Sequence, residues 1–108
     1  MDIQVETRGD RRIVRIKGKI TFEHCPLLQG RLDGVLEKGV REIVIDFREV
    51  PFMDSSGVGE ILRLFKLMRD SKGEVVLINP NQKLTNLFKM YRFEKFMKIV
   101  DSVEAGSE

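Results

Sequence analysis

The stretch Pro51-Phe52-Met53-Asp54-Ser55-Ser56-Gly57-Val58-Gly59 sets an acid, two hydroxyls and two glycines behind three apolar residues, an unusual make-up for a connector. Apolar residues at helical spacing follow it, so the stretch stands at a helix N-terminus. Free N–H groups and the helix dipole favour an anion there, and a phosphate, bound or covalent, suits the position. Gly57 and Gly59 would leave backbone room for another molecule to come close. Helix capping competes with this reading, since one Asp or Ser oxygen accepting an orphan N–H contributes about 1 kcal/mol. Capping uses only one of the three side chains. It also leaves both glycines unexplained, because glycine is a poor helix former in a first turn.

Catalytic alternatives founder on spacing. Gly57-Val58-Gly59 runs into Glu60-Ile61-Leu62, so the third glycine of a dinucleotide-binding loop is missing, and no Gly-Lys-Ser/Thr occurs for a P-loop. A nucleophile elbow needs Gly-x-Ser-x-Gly, whereas Ser56 adjoins Gly57 directly. A Ser-His-Asp triad would have to use His24, the single histidine; His24-Cys25 precedes Pro26 at an expected helix start and reads as structural. One Cys and one His leave no intrachain disulfide and no multi-histidine metal site. Neither metal nor cofactor is expected, and the serines are not expected to act as catalytic nucleophiles.

The elements that must position this stretch follow from hydrophobic period. Ile3 and Val5, then Ile13, Val14 and Ile16, flank Arg8-Gly9-Asp10 and predict a β-hairpin closed by Gly18. Leu28, Leu32, Val35 and Leu36 recur at helical spacing, with Pro26 in the first turn and Gly39 past the end. Gly30 and Gly34 weaken that helix by about 1 kcal/mol each relative to Ala. Ile43-Val44-Ile45-Asp46-Phe47 reads as a strand buried on both faces. The stripe Val58, Ile61, Leu62, Phe65 and Met68, widened by Leu64 and Leu67 and stopped by Gly73, is the clearest helix. Val75–Ile78 supplies a second buried strand, predicted parallel and adjacent or near-adjacent to the first, with a right-handed crossover. Asn79-Pro80-Asn81 opens a third helix bearing Leu84, Leu87, Phe88 and Tyr91, and Ile99-Val100 closes with a short strand. The expected fold is α/β: one domain over 1–108, a mixed sheet with helices packed on it, in the order β-β-α-β-α-β-α-β, with 101–108 a short or frayed end.

Composition bounds the function. Hydrophobic residues at 42%, charged residues at 33% and 3 prolines in 108 residues exclude a disordered chain. Lys and Arg total 19 against 17 acids, a net charge of +2, too balanced to hold nucleic acid by bulk electrostatics. No apolar run reaches the roughly 20 residues that span a bilayer, and Met1-Asp2-Ile3-Gln4 lacks a signal-peptide pattern, so a cytoplasmic domain without membrane contact is expected. Lys83, Lys89, Arg92, Lys95 and Lys98 flank the third helix as either a solvated face or the basic part of a site for an acidic partner. Phe93 and Phe96 read as core. Met68, Met90 and Met97 do too; Met53 is the exception, in the loop beside Phe52, and Phe52 or Met53 is expected to be exposed.

Val50-Pro51-Phe52-Met53-Asp54-Ser55-Ser56-Gly57-Val58-Gly59, set between a buried strand and an apolar helix, resembles the signature of the STAS domain family, and within it bacterial anti-sigma factor antagonists. Gly18, Leu28, Leu32, Ile43–Phe47 and Val75–Asn79 extend the resemblance over nearly the whole chain. It implies a STAS-like domain, not an enzyme, that binds an anti-sigma factor with serine kinase activity and thereby frees the sigma factor. It further implies that the kinase phosphorylates the serine before the first glycine, here Ser56, that phosphorylation ends binding, and that a serine phosphatase resets the switch. Phe52, Met53, Asp54, Ser55, Ser56, Gly57 and Val58 are the expected partner-binding residues, with Ser55 mainly structural and the free protein a monomer. Two departures stand out: Thr21 lies where many phosphorylatable antagonists carry Asp, and the usual C-terminal helix is shortened to 101–108. A scaffold subunit or nucleotide-sensing module of the same family is the alternative, and a small hydrolase using Ser55 or Ser56 is a distant third.

Overall fold

The computed structural model describes residues 1–101. The first two strands, β1 (Asp2–Arg8) and β2 (Arg11–Lys17), form the predicted antiparallel hairpin. Its turn is made possible by Gly9 at φ 61°. From β2 the chain passes through a 3₁₀ turn (Phe22–His24) into α1 (Cys25–Val35), which carries Pro26 in its first turn. Then come β3 (Glu42–Glu49), α2 (Ser55–Asp70), β4 (Glu74–Ile78), α3 (Gln82–Met90), a second 3₁₀ turn (Phe93–Lys95) and β5 (Lys98–Val100). The predicted order stands, and the two 3₁₀ turns are additions to it. The expected frayed end falls on 102–108, outside the described residues, apart from Asp101.

The five strands lie in chain order, β1-β2-β3-β4-β5. Only β1–β2 is antiparallel; β2–β3, β3–β4 and β4–β5 are parallel. Thus β3 and β4 are adjacent and parallel as expected, with Ile43 opposite Val75 and Ile45 opposite Leu77.

Side-chain alternation sorts the core. Ile43, Ile45 and Phe47 of β3 and Val75 and Leu77 of β4 share one cluster with the buried residues of all three helices: Leu28 and Leu32, Ile61 and Leu64, Leu84 and Phe88. Ile13, Val44, Val76 and Ile78 form a smaller cluster on the other face, so β3 is buried on both sides although the helices pack on one. Phe47 and Phe88 meet with ring centroids 5.3 Å apart, tying α3 to the C-terminal end of β3, where the candidate site begins.

Phe93 is core as expected, but Phe96 is not; it is exposed. Met68 and Met97 are buried as expected, whereas Met90 is not, and of Phe52 and Met53 it is Phe52 that lies exposed. Met53 is only 4% exposed and Met90 is 73% exposed.

Candidate functional site

Past the end of β3 the chain does not wander. Val50 is buried, and its N–H donates to the carbonyl of Phe47 at 3.0 Å. The parallel ladder with β2 then continues beyond both strands. Gly18 donates to the Glu49 carbonyl at 2.9 Å, Ile20 to that of Phe52 at 3.0 Å, and Asp54 back to that of Ile20 at 3.0 Å. Ile20 and Met53 form a parallel bridge. From the other side, the Asn81 amide donates to the carbonyl of Pro51 at 3.3 Å while its oxygen caps α3 by accepting from Leu84 at 2.8 Å. The loop is therefore held from two sides by backbone and amide groups, as a site on a rigid scaffold requires.

Asp54 is the N-cap of α2. Its backbone is extended, and its Oδ1 accepts the N–H of Ser56 at 2.9 Å and that of Gly57 at 3.4 Å. Its Oδ2 accepts the N–H of Phe22 at 3.1 Å, from the 3₁₀ turn after β2. Capping thus falls to Asp54 alone. Among the described residues neither serine hydroxyl makes a hydrogen bond, so Ser55 has no capping role and both hydroxyls stay available. Ser55 is exposed and Ser56 is half-buried.

The two glycines separate. A Cβ on Gly57 would come within 2.6 Å of Met53 Cγ and 2.8 Å of Ile20 Cγ2, whereas one on Gly59 would meet nothing within 4 Å. Gly57 is small because it packs inward on the loop that precedes it, not to admit another molecule. Gly59 is the one that leaves outward room. Of the expected partner-binding residues, Met53, Gly57 and Val58 face the interior of the free protein. Met53 is buried because the bridge to Ile20 turns it under the first turn of α2. Phe52, Asp54, Ser55 and Ser56 stay at the surface, with Phe52 40% exposed.

Two surface residues escaped the sequence reading. Phe22 is 77% exposed, on the turn tied to Asp54, and Leu27 is exposed in the first turn of α1. Phe22 carries no periodic signal. Only the long-range bond from its N–H to Asp54 reveals its place. The backbone N–H of Thr21 donates to His24 Nδ1 at 3.2 Å, which closes the 3₁₀ turn and gives His24 the structural role expected of it. Burial and then the charges of Glu60 and Asp54 push the Cys25 thiol up, so it is a poor nucleophile beside the site.

No group of His, Cys, Asp and Glu among the described residues could hold a metal ion. No helix among them is long and apolar enough to cross a membrane. The arrangement is an acid-capped helix start with two free hydroxyls beside exposed aromatics, suited to recognition and modification.

The sequence profile of the STAS domain matches residues 2–106. The chain is 30% identical over 105 residues to the anti-sigma F factor antagonist of Paenibacillus polymyxa, covering 94% of this chain and 90% of that one. It is 26% identical over 108 residues to the anti-sigma-B factor antagonist of Bacillus subtilis, covering 98% of each. The Bacillus anti-sigma factor antagonist SpoIIAA has been solved in two forms. The unphosphorylated form gives a TM-score of 0.79 at 21% identity over 98% of this chain and 94% of that one. The phosphorylated form gives 0.78 at 22% over 98% and 97%. Likeness at that identity carries the fold.

Proposed function

The chain belongs to the STAS domain family, and from that membership we propose that it is an anti-sigma factor antagonist switched at Ser56. Unphosphorylated, it binds an anti-sigma factor that is also a serine kinase and so releases the sigma factor. Phosphorylation of Ser56 ends the binding, and a serine phosphatase restores it. The antagonist names of its relatives support the regulatory, non-enzymatic role. The existence of a phosphorylated form of SpoIIAA supports a covalent switch.

The observation that carries this reading is the unengaged Ser56 hydroxyl beside the Asp54 carboxylate and the exposed Phe22 and Phe52. A phosphate there would add about −1.5 to −2 charge. The helix dipole favours it, but the N–H groups of Ser56 and Gly57 already donate to Asp54. The phosphate therefore meets a competing carboxylate in place of an empty cradle. A partner that covers Phe22 and Phe52 dry would have to desolvate the added charge, which costs several kcal/mol unless cations match it. Binding ends without refolding. Accessibility alone favours Ser55; Ser56 is chosen because it directly precedes the first glycine of the family motif.

The test is phosphate incorporation by candidate anti-sigma kinases with Mg-ATP into wild type, Ser55→Ala and Ser56→Ala, mapped by mass spectrometry. Labelling lost only in Ser56→Ala is the expected result. Loss only in Ser55→Ala would assign the switch to the other serine, and full labelling of both would remove it from this loop.

A further inference from the structure

At the end of α2 remote from Ser56 the surface changes character. Phe65 packs on Phe96 with centroids 4.8 Å apart, Phe96 meets Phe93 edge-on at 5.6 Å, and Tyr91 lies 6.3 Å from Phe93. Phe93 is buried at the centre, yet Phe96 is 41% exposed, Tyr91 43%, and Met90, the last residue of α3, is nearly bare. A run of this size and hydrophobicity is what a protein surface carries where something covers it.

The stretch of chain around it is mostly basic. Lys89, Arg92 and Lys95 are exposed, and Glu94 is the single acid between Gln82 and Val100; Lys98, opposite Val76 in β5, belongs to the other face of the sheet. On the hairpin, by contrast, Arg8, Arg11, Arg12 and Arg15 each lie within 4.0 Å of a carboxylate. Among the described residues none of Lys89, Arg92 and Lys95 has such a partner. A basic rim without a carboxylate partner among the described residues, set beside an aromatic and thioether centre, has the anatomy of an interface for an acidic partner.

We propose that this surface docks an acidic amphipathic helix of another protein, its apolar side chains covering Met90, Tyr91 and Phe96 and its carboxylates pairing with Lys89, Arg92 and Lys95. A nucleic acid suits it less well. Base stacking needs an open ring face, whereas the Phe96 ring packs on Phe65 and Phe93, and the most exposed apolar side chain is the aliphatic Met90. Phe65 follows Ser55 by ten residues of helix, about 15 Å along α2. That exceeds the Debye length of about 10 Å at 0.1 M salt, so docking does not depend on the state of the serines.

The probe is a synthetic peptide of about five helical turns with Leu and Phe at i, i+3, i+4 and i+7 and Glu elsewhere. Its controls are the same peptide with Lys for every Glu, and a thymidine oligonucleotide. Titrated into the ¹⁵N-labelled full chain, the acidic peptide should saturably shift amides in 65–70 and 89–98 and leave those of Phe22 and Phe52 in place. Met90→Ser with Lys95→Glu, both on exposed side chains that folding does not need, should raise the dissociation constant by about tenfold or more. Ser56→Asp should leave it unchanged, which separates this surface from the serine switch. Absence of shifts at millimolar peptide, an equal response to the Lys peptide, or shifts centred on Phe22 and Phe52 would each overturn the proposal. So would tighter binding of the oligonucleotide at the same amides, or sedimentation of the free chain as a dimer that buries Met90.

Discussion

Asp54 and Phe22 stand thirty-two positions apart in sequence, and the carboxylate Oδ2 of the first accepts the backbone N–H of the second at 3.1 Å. The other oxygen holds the N–H of Ser56 at 2.9 Å. One side chain thus fixes the start of α2 and the 3₁₀ turn that presents Phe22, so the geometry of the candidate surface hinges on it.

Asp54→Ala removes both ties and should lower stability by about 1–2 kcal/mol. Asp54→Asn should recover most of that loss, because an amide oxygen still accepts from Ser56, but its NH₂ cannot accept from Phe22. Thermal unfolding should rank wild type and Asn together above Ala. Partner affinity should fall for both variants.

The glycines should respond in opposite senses. Gly57→Ala puts a methyl group against Met53 and Ile20 and should destabilise by about 1–3 kcal/mol. Gly59→Ala enters open space on the helix and should stabilise by about 1 kcal/mol. If close backbone approach of a partner is what Gly59 serves, the more stable protein will bind its anti-sigma factor less well. Denaturant unfolding and a binding titration read the two effects separately.

Phe22→Ser and Phe52→Ser together should weaken anti-sigma factor binding by about 2 kcal/mol or more if these are the anchors of the contact. Melting should shift little, since both side chains are exposed. Met53→Ser is the contrasting control. It empties a core position and should cost about 2–5 kcal/mol of stability. A double variant that melts like Met53→Ser would mean that Phe22 and Phe52 are structural.

Cys25 offers a pH-dependent readout. Burial, then the charges of Glu60 and Asp54, hold its thiol above the ordinary range. A proton held more tightly in the folded state stabilises below the unfolded thiol pKa, and that stabilisation is lost as pH rises towards the folded value. Alkylation by iodoacetamide near pH 8 should therefore run slower than for an exposed cysteine, and Glu60→Gln should speed it. Phosphate at Ser56 adds further negative charge nearby and should slow it again, which a rate–pH profile before and after phosphorylation would register.

The strands were legible because Val75–Ile78 is wholly apolar and Ile43–Phe47 is apolar but for Asp46, a pattern that needs no knowledge of the rest of the chain. The start of α3 at Asn79-Pro80-Asn81 was legible for a local reason as well, since a cap, here Asn81, sits immediately before its helix. Which of Phe52 and Met53 is exposed, and that Met90 is, was not legible because their burial is decided elsewhere. Met53 is covered through the bridge to Ile20, and Met90 ends a helix whose buried face is Leu84 and Phe88. Phe22 was missed for the same cause. Periodicity reports what neighbours along the chain share, and the hydrogen bond from Phe22 to Asp54 is not of that kind.

Because spatial order in the sheet repeats chain order, the protein can be completed by accretion at one edge as it leaves the ribosome. Each strand emerges to find its neighbour already paired on the far side, and no later segment has to be threaded between strands already joined. The growing edge passes from β2 to β3 and then to β4, and each exposes unpaired N–H and C=O groups until its successor arrives. The three residues of β5 end that exposure. A nascent chain stalled before Lys98 would present β4, the most apolar of the strands, as an open template for mispairing, so the shortest strand of the sheet is the one that shields the most apolar.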